Sequence, residues 1–384
     1  MPTLLRVRRP RPAMILDFPR PLSPREQVRT GPSLRRRKAR TAVIVGILAA
    51  LLAFVGLVLV QDYLVPEIRD PEYGRRASRW HARIAEHPNR PVVLVLGSSR
   101  VSMGVRPAAW EEVRPEGTDT PILVNMAGVG SGPLGQLMFL RRILAEGPKP
   151  DAILIEYWPP FLRGDGHFAE QHRVDPLRLG PKDREFVHDY YAEPEKTFDA
   201  MRSARLHPYL AYRYRLLAQI NPRFLKWTQR IDVAWDKLDA WGWLPGVVDD
   251  PQGSENRLLR MEQCQPFYRD QFEGFTISPK VDRAYDELFA LARSHGIRVG
   301  LVFLPESSEF RAWYPPEVER ASQEHLAKLS FELNVPLIDA RTRMPNDSTC
   351  DGFHLFRGAA AAFTQQLGRD VMAIFPDLKR RIDP

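Results

Sequence analysis

One short apolar segment that ends in a small polar turn constrains the fold more than any other feature of the sequence. Residues 92–96 are five consecutive apolar residues, VVLVL, bounded by Pro91 and Gly97. A run of this kind, rich in β-branched residues, is typical of a strand buried on both faces. The turn GSSR at residues 97–100 follows without a spacer. Because ligands bind beyond the carboxyl ends of strands in an open α/β sheet, this turn is a candidate functional site.

Four more apolar segments alternate with helical patterns along the chain. Five strands separated by helices predict an α/β fold with a parallel five-stranded sheet, right-handed crossovers and helices on both faces. A flavodoxin-like strand order of 2-1-3-4-5 is the simplest arrangement, and it puts the switch point between the first and third strands, where the GSSR turn stands. The other strands are expected at residues 122–125, 152–156, 299–304 and 336–338, and helices from about 134, at 281–294, at about 316–333 and after 357.

The segment of about residues 163–275 interrupts this alternation. It contains aromatic-rich helical patterns at residues 207–227 and 231–243, separated by loops with Gly and Pro. We therefore predict a helical insertion at the rim of the sheet. Its tryptophans could stack on a glycan, although core packing is the more usual role of large aromatic side chains.

An uncharged run of 20 residues, 41–60, predicts a transmembrane helix, because its length matches the hydrocarbon thickness of a bilayer. The basic sequence RRRKAR at residues 35–40 precedes it, which places the N-terminal side in the cytoplasm and the rest of the chain outside. A cleaved signal peptide is the alternative. The run is longer than a typical signal core, lies far from the N-terminus and is not followed by a small-x-small cleavage site.

The positive charge of the chain belongs to its N-terminal tail. The first 40 residues carry 12 Lys and Arg and two acidic residues, a net of +10, so the rest of a chain of net charge +8 sums to −2. Like charges and seven prolines in this tail favour disorder, and nothing beyond it favours nucleic-acid binding. The expected organisation is a disordered basic cytoplasmic tail (1–40), the transmembrane helix (41–60), a stalk (61–90) with a short helix at about 75–86, and an extracytoplasmic domain (91–384), periplasmic in a Gram-negative cell.

The segment CDGFHL at residues 350–355 places Asp351 three residues before His354, on a loop that enters the C-terminal helix. A carboxylate at this spacing can fix the imidazole tautomer while the other ring nitrogen takes a proton from a serine. The motif is weak alone. Combined with the Gly-x-Ser turn after the first strand and a glycine-rich turn at residues 128–132 after the second, it forms a pattern in the order Ser, Asp, His.

This pattern resembles the SGNH/GDSL hydrolase superfamily over roughly residues 92–132, 151–159 and 296–375. The resemblance implies Ser99 as nucleophile, because the family's serine stands third in Gly-x-Ser, with His354 as base and Asp351 as its orienting group. The backbone N–H of Ser99 and that of Gly128 or Gly130 are the candidate oxyanion donors. A tight strand-to-helix turn is the alternative role of the glycines. No cofactor and no metal site is expected.

Two departures from the family pattern stand out. The family's Gly-Asp-Ser is here Gly-Ser-Ser, and the family's Asn after the third strand, an oxyanion donor, is absent from IEYWP at residues 155–159. Losing such a donor typically costs about two to three orders of magnitude in rate unless another group replaces it. Arg100 could supply positive charge to the substrate, and Glu156 could orient a donor or bind a sugar hydroxyl. The alternative for Arg100 is a solvated or paired residue at the start of a helix, and that for Glu156 is a carboxylate at the end of a strand that pairs with an Arg.

With these departures, the chain resembles a membrane-anchored SGNH-like subgroup whose members work outside the cell membrane beside a multi-spanning acyltransferase. The resemblance implies a serine esterase or O-acyltransferase that moves acyl groups, commonly acetyl, to or from an envelope polysaccharide. The implied partners are that glycan and the multi-spanning acyltransferase. A catalytically inactive relative that binds polysaccharide or acts as a scaffold in a membrane acylation complex is the alternative.

The chain has two cysteines, Cys264 and Cys350. In an exported domain two cysteines can pair, and a bridge here would tie the insertion to the catalytic loop. Two buried free thiols are the alternative.

Overall fold

Five parallel strands form the centre of the structure, and they lie in the order β2-β1-β3-β4-β5 that the sequence predicts. The computed structural model describes residues 32–116, 120–170, 174–226, 235–246 and 253–378. Adjacent strands are parallel, and β1 pairs with β2 on one side and with β3 on the other. The strands are β1 (Val92–Leu96), β2 (Ile122–Asn125), β3 (Ala152–Glu156), β4 (Arg298–Phe303) and β5 (Leu337–Asp339).

Helices connect the strands and cover both faces of the sheet. In the described residues they are α1 (Pro32–Leu59), α2 (Pro71–Glu86), α3 (Ser99–Gly104), α4 (Pro107–Glu111), α5 (Pro133–Glu146), α6 (Arg184–Tyr190), α7 (Pro194–Leu206), α8 (Pro208–Ile220), α9 (Gly253–Phe272), α10 (Pro279–Ser294), α11 (Ser308–Arg311), α12 (Pro316–Glu332) and α13 (Arg357–Ile374).

The alternation of side chains along each strand divides the core into two layers. Leu94 of β1 packs into the layer that contains Tyr285 of α10, and its neighbour Val93 packs into the layer that contains Trp110 of α4 and Phe363 of α13. All five β1 side chains are fully buried. Since both faces are covered, β1 must be apolar at every position, which explains the uninterrupted VVLVL run.

Most of the N-terminal helix α1 lies in a separate unit of the chain that ends at Gly56, and the second unit begins at Leu57. The most apolar 18-residue window of the span Arg35–Asp62 has a mean hydropathy of 3.1 and is not buried. This helix is long and apolar enough to cross a membrane, so it could be a membrane anchor or a signal sequence. Residues 1–31 of the expected basic tail lie outside the described residues.

The segment expected to be a stalk contributes a helix to the folded body. Helix α2 buries Tyr73, Arg76 and Trp80. Asp70 caps its first turn by accepting a hydrogen bond from the Tyr73 N–H, and a proline follows Asp70 at the first helical position. Residues 71–86 are therefore packed on the domain instead of extending from it.

The insertion is helical, but residues 235–246 form turns where the sequence predicts a helix at 231–243. The Asp239 carboxylate accepts hydrogen bonds from the N–H groups of Trp241 and Trp243, at 2.8 and 2.9 Å. These bonds satisfy the backbone locally and so compete with helix formation. Residues 231–234 and Trp227 lie outside the described part of the chain.

Tryptophans of the insertion pack within the protein. Trp235 and Trp243 are buried, and the Trp243 indole donates to the Met103 carbonyl at 2.6 Å. Trp241 stacks on His87. Core packing, the more usual role, is therefore the one these three side chains have.

Asp70 also holds a buried ion network beneath α2. Its carboxylate accepts from Arg142 at 2.8 Å and from Arg178 at 3.0 Å, and Arg142 also binds Asp183. Burial raises the pKa of Asp70, but the two guanidinium groups outweigh burial and hold its pKa far below the usual range. The network joins α2 to α5 and to the start of the insertion.

We predict that Asp70→Asn lowers the free energy of unfolding by about 3 kcal/mol near neutral pH, because Asn can still cap α2 but leaves Arg142 and Arg178 short of a buried anion. A carboxyl with a depressed native pKa stabilises the fold above its unfolded pKa and loses that effect as the pH falls. The difference between the two proteins should therefore shrink below about pH 4. Chemical denaturation of the full chain in detergent, followed by tryptophan fluorescence, measures it.

The matched control is Glu86→Gln, which removes an exposed partner of Arg83 and should change stability by less than about 1 kcal/mol. Equal losses in the two variants would contradict the assigned importance of the buried network.

Candidate active site

The candidate site lies where β1 ends. Ser98 caps α3, and Ser99 is the first residue of this helix, directly after the strand and Gly97. A Cβ at Gly97 would lie 2.6 Å from a carboxylate oxygen of Glu156 and 2.4 Å from Val101. Only glycine fits this close approach, so the small turn residue is required by its neighbours.

The second part of the site is the loop before α13. The Cys350 N–H donates to the His354 carbonyl at 2.8 Å, and the Ser307 N–H donates to the Gly352 carbonyl at 2.8 Å. Gly352 has a positive φ of 94°, which a residue with a side chain rarely adopts. These features fold residues 350–355 into a tight loop that presents His354 and Asp351 on one side.

The structure brings Ser99, His354 and Asp351 together in one chain of contacts. The Ser99 hydroxyl lies 2.7 Å from His354 Nε2, and His354 Nδ1 lies 2.7 Å from Asp351 Oδ2. The other carboxylate oxygen of Asp351 accepts from the His354 N–H at 2.8 Å and from the Phe353 N–H at 3.2 Å. This is the arrangement of a nucleophile, a base and a group that orients the base.

The Asp351 carboxylate is set up to remain ionised. Burial raises its pKa, but the adjacent His354 ring and the two backbone N–H donors outweigh burial and lower the pKa below the usual Asp value. An ionised partner requires a proton on Nδ1 of His354, which leaves Nε2 with a lone pair toward Ser99. The geometry can thus draw the hydroxyl proton of Ser99 onto the imidazole.

Two neighbouring serines have other partners. The hydroxyl of Ser98 accepts from the Arg100 N–H at 3.1 Å, and that of Ser102 accepts from the Arg76 guanidinium at 2.6 Å. Both serines are fully buried, whereas Ser99 is partly exposed. Ser99 is therefore the serine of this turn that can meet both His354 and a substrate.

The oxyanion donors expected from the sequence need one correction. The Gly128 N–H donates to the Gly97 carbonyl at 2.8 Å, so it is occupied in holding the two turns together. Gly130 lines the same cavity as Ser99, and within the described residues its N–H has no hydrogen-bond acceptor. The Ser99 N–H, at the first position of α3, has no intrahelical acceptor. Ser99 and Gly130 remain the candidate donors.

The carboxylate of Glu170, a residue that the sequence analysis did not identify, lies at the start of α5. It accepts from the N–H groups of Gly132, Leu134 and Gly135 at 2.7 to 2.9 Å. The glycine-rich turn therefore ends in a helix start that is already capped by an anion from the insertion. Nothing in the sequence pattern points to this long-range cap.

Arg100 and Glu156, considered as substrate-binding residues in the sequence analysis, form a buried structural pair instead. Each is 1% exposed, and the guanidinium lies 3.4 Å from the carboxylate. The Arg100 guanidinium also lies 3.5 Å from Glu306 and 4.7 Å from the centre of the Trp158 ring. Neither side chain is accessible to a substrate, because both are buried.

This buried pair positions the turn and the loop of the site. Glu156 accepts from the Ser98 N–H at 2.6 Å, and Arg100 donates to the Phe353 carbonyl at 3.4 Å, beside His354. Burial raises the pKa of Glu156, and Arg100 and the Ser98 N–H only partly offset it, so the net pKa is raised. Arg100 further donates to the Leu304 carbonyl at 2.9 Å. Sequence analysis recognised both residues but could not see that they face inward.

A cavity of about 230 Å³ opens beside Ser99 and His354. Its wall is mainly aromatic, and several of its residues come from the insertion. The lining consists of Ser99, Gly130, Trp158, Phe161, Phe168, Cys264, Phe267, Tyr268, Asp351, Phe353 and His354. The sequence analysis did not identify the aromatic residues of this wall. The WPPF segment at residues 158–161, separated from the end of β3 only by Tyr157, is the one local sequence feature that points to any of them. The cavity suits an apolar group held next to the serine.

Cys264 and Cys350 are free thiols, so the disulfide considered in the sequence analysis is not formed. Cys264 lines the cavity and is partly exposed, whereas Cys350 is buried within the loop. Burial and the charge of Asp351 raise the pKa of both thiols, that of Cys350 to about 12. Both are therefore poor nucleophiles near neutral pH.

Among the described residues, no group of His, Cys, Asp and Glu side chains is arranged to hold a metal ion. No protein-family model matches the chain, and no curated protein is significantly similar to it.

We predict that Arg100→Met lowers the free energy of unfolding by about 3 to 5 kcal/mol, because it removes the guanidinium that pairs with the buried Glu156 and leaves the buried Glu306 with Arg341 alone. Denaturation of the full chain in detergent tests it. Arg202→Met is the control, since Arg202 is exposed and pairs with an exposed Asp199, and it should change stability by less than about 1 kcal/mol. A loss below 1 kcal/mol for Arg100→Met would contradict the positioning role.

Proposed function

We propose that this protein is a membrane-anchored, extracytoplasmic SGNH-like serine esterase or O-acyltransferase that acts on acyl esters of an envelope glycan. The observation that carries the proposal is the chain Ser99–His354–Asp351, with contacts of 2.7 Å on both sides of the imidazole. The carboxyl end of β1, where a parallel sheet commonly binds ligands, supplies the serine.

In the proposed reaction the Ser99 oxygen attacks the carbonyl carbon of an acyl ester while His354 Nε2 accepts the hydroxyl proton. The negative charge on the carbonyl oxygen is stabilised by the N–H groups of Ser99 and Gly130. Collapse of this intermediate breaks the ester bond, and His354 returns its proton to the leaving alcohol. The acyl group remains on Ser99 until water or a sugar hydroxyl, deprotonated by His354, attacks and releases it.

The aromatic cavity supports an acyl group as the part of the substrate bound next to Ser99. Its lining contains Trp158, Phe168 and Tyr268, and its charged groups are those of the triad itself. Among the described residues no Lys or Arg lines the wall, so an anionic substituent would find no cationic partner there. An uncharged acyl group fits this environment, whereas the glycan would lie toward the open side.

The apolar helix α1 supports action at a membrane, if it is kept as an anchor. We further propose that the domain lies outside the cytoplasm, because the basic residues 35–40 precede the apolar run. An envelope polysaccharide and a multi-spanning acyltransferase are the proposed partners, on the resemblance described above. With such a partner, the acyl group could pass from a membrane donor to Ser99 and then to the glycan.

A non-catalytic role is the second candidate, favoured by the sparse oxyanion site. The Gly128 N–H is already bonded to Gly97, and the end of β3 supplies Trp158, whose indole N–H is bonded to Glu306 at 2.9 Å. With backbone donors only, the site would retain its shape but catalyse slowly. The protein would then bind an acylated glycan or support an acylation complex.

We predict that a fluorophosphonate probe labels the wild-type full chain in detergent, and that Ser99→Ala and His354→Ala abolish labelling. Asp351→Asn should slow labelling by about two to four orders of magnitude, because Asn stabilises the wrong imidazole tautomer. Gel fluorescence and mass spectrometry of the labelled peptide measure the rate and the site.

Ser102→Ala is the matched control, because Ser102 lies one turn away and bonds Arg76, not His354. It should keep most of the labelling. Folded wild-type protein that stays unlabelled would rule out an activated serine and favour the non-catalytic candidate.

A second prediction concerns the acyl group. For p-nitrophenyl esters, kcat/KM should rise from acetate to butyrate by up to about fourfold per added methylene, because each methylene enters an aromatic wall. Replacing Phe168 by Ala should flatten this rise while leaving fluorophosphonate labelling in place. A steady decline from acetate onward would show that the cavity does not hold the acyl chain.

A further inference from the structure

The insertion carries an exposed apolar surface that the proposed chemistry does not use. Single exposed apolar residues are common, but here several lie close together in the chain, at the end of α7, along α8 and just after it. We call this the insertion surface. Its apolar members are between 58% and 76% exposed, and they are Leu206, Tyr209, Leu210, Ile220 and Phe224.

Helix α8 has its apolar residues on both sides. Tyr212 and Ala218 are buried against the domain, as they would be in any surface helix. On the opposite side, Tyr209, Arg213 and Ile220 recur at the spacing of one helical face and are exposed. A soluble surface helix would carry polar residues there, so this face is suited to a partially apolar environment.

The same stretch is strongly basic. Residues 200–226 contain six Lys and Arg and no Asp or Glu. Among the described residues, Arg213, Arg223 and Lys226 have no carboxylate partner. Exposed apolar side chains interleaved with unpaired cations are the composition of a helix that lies in an anionic lipid interface.

An ion pair fixes α7, and two hydrogen bonds fix α8, to the residues that follow the apolar span. Asp62 pairs with Arg205 at 2.7 Å. The Arg215 guanidinium donates to the Arg69 carbonyl at 2.5 Å, and the Gln219 amide donates to the Glu67 carbonyl at 3.4 Å. The insertion surface is therefore held by residues 62–69 of the same folded unit.

Only Gln61 separates residues 62–69 from the apolar run that ends at Val60. If that run spans a bilayer, chain length alone keeps Asp62 within several ångströms of the surface, at about 3.5 Å per residue. Leu64, which is 73% exposed, lies in the same short segment. Connectivity and the bonds to α7 and α8 thus bring the insertion surface close to the headgroup layer.

We propose that the insertion surface lies on the anionic headgroup layer of the membrane in which α1 is anchored. Tyr209, Leu210 and Ile220 enter the interfacial region, and the cations at 213, 223 and 226 meet lipid phosphates. This second attachment restrains the domain against the bilayer, so that it does not rotate freely about a single helix. The proposal requires α1 as an anchor but does not require Ser99 to be reactive.

The test uses the full chain in nanodiscs of phosphatidylcholine with phosphatidylglycerol. A photoreactive p-benzoylphenylalanine replaces Leu210 in one protein and Phe331, which is 89% exposed on α12, in the control. Both sites are exposed, so both proteins should fold. Mass spectrometry after irradiation should find several times more lipid adduct at position 210 than at position 331.

A second comparison tests the charge. Replacing Arg213, Arg223 and Lys226 together by Gln should reduce the adduct at position 210, by up to about fivefold for each cation removed. Nanodiscs of phosphatidylcholine alone should give a similar reduction without any substitution. Adduct that is insensitive to both changes would overturn the assignment to anionic lipid.

Two other results would also overturn the proposal. One is adduct at position 210 no greater than at position 331, and the other is cross-linking of position 210 to a second copy of this chain instead of lipid. The same labelling is repeated in a Ser99→Ala background and should be unchanged. Its outcome is therefore separate from that of the fluorophosphonate experiment, and failure of one proposal is distinguishable from failure of the other.

Discussion

The candidate site depends on one buried cation. The Arg100 guanidinium lies beside Glu156 and Glu306, and it donates to the carbonyls of Leu304 and Phe353. It thereby joins the turn after β1, the ends of β3 and β4 and the loop that carries the histidine. A buried charge is tolerated only when it is paired and hydrogen-bonded. Folding around Arg100 therefore forces these segments together, and a serine and a histidine 255 residues apart in sequence meet at 2.7 Å.

The sheet and the insertion contribute different parts of the candidate site. The ends of the strands and the loop before α13 hold the reacting groups, while Phe168 and Tyr268 of the insertion form part of the cavity wall. Glu170 of the insertion also caps α5 by accepting hydrogen bonds from backbone N–H groups at its start. Its outer side carries the apolar and basic residues of the insertion surface. One added segment can thus shape a substrate cavity, brace the sheet and contact a membrane without altering the triad.

Sequence analysis predicted the parts of the fold that depend on local pattern. The five strands and their order followed from apolar runs between helices. It could not assign the roles that a distant partner decides. The Gly128 N–H is engaged by the Gly97 carbonyl, and Arg100 and Glu156 pair with each other inside the protein. Hydrogen-bond partners on other elements leave no mark in the spacing of residues along the chain.

The sequence by itself determined the apolar span and the parallel sheet, because periodicity and length are local properties of the chain. Ser99, Asp351 and His354 were selected because their order along the sequence resembles that of the SGNH/GDSL superfamily. Only the tertiary structure decided which groups face the substrate. Arg100 and Glu156 looked equally suited to binding and to pairing, and burial settled that they pair with each other. The aromatic wall came from segments that are distant in sequence and adjacent only in the fold. Burial and long-range contact are properties of packing, which no single stretch of sequence encodes.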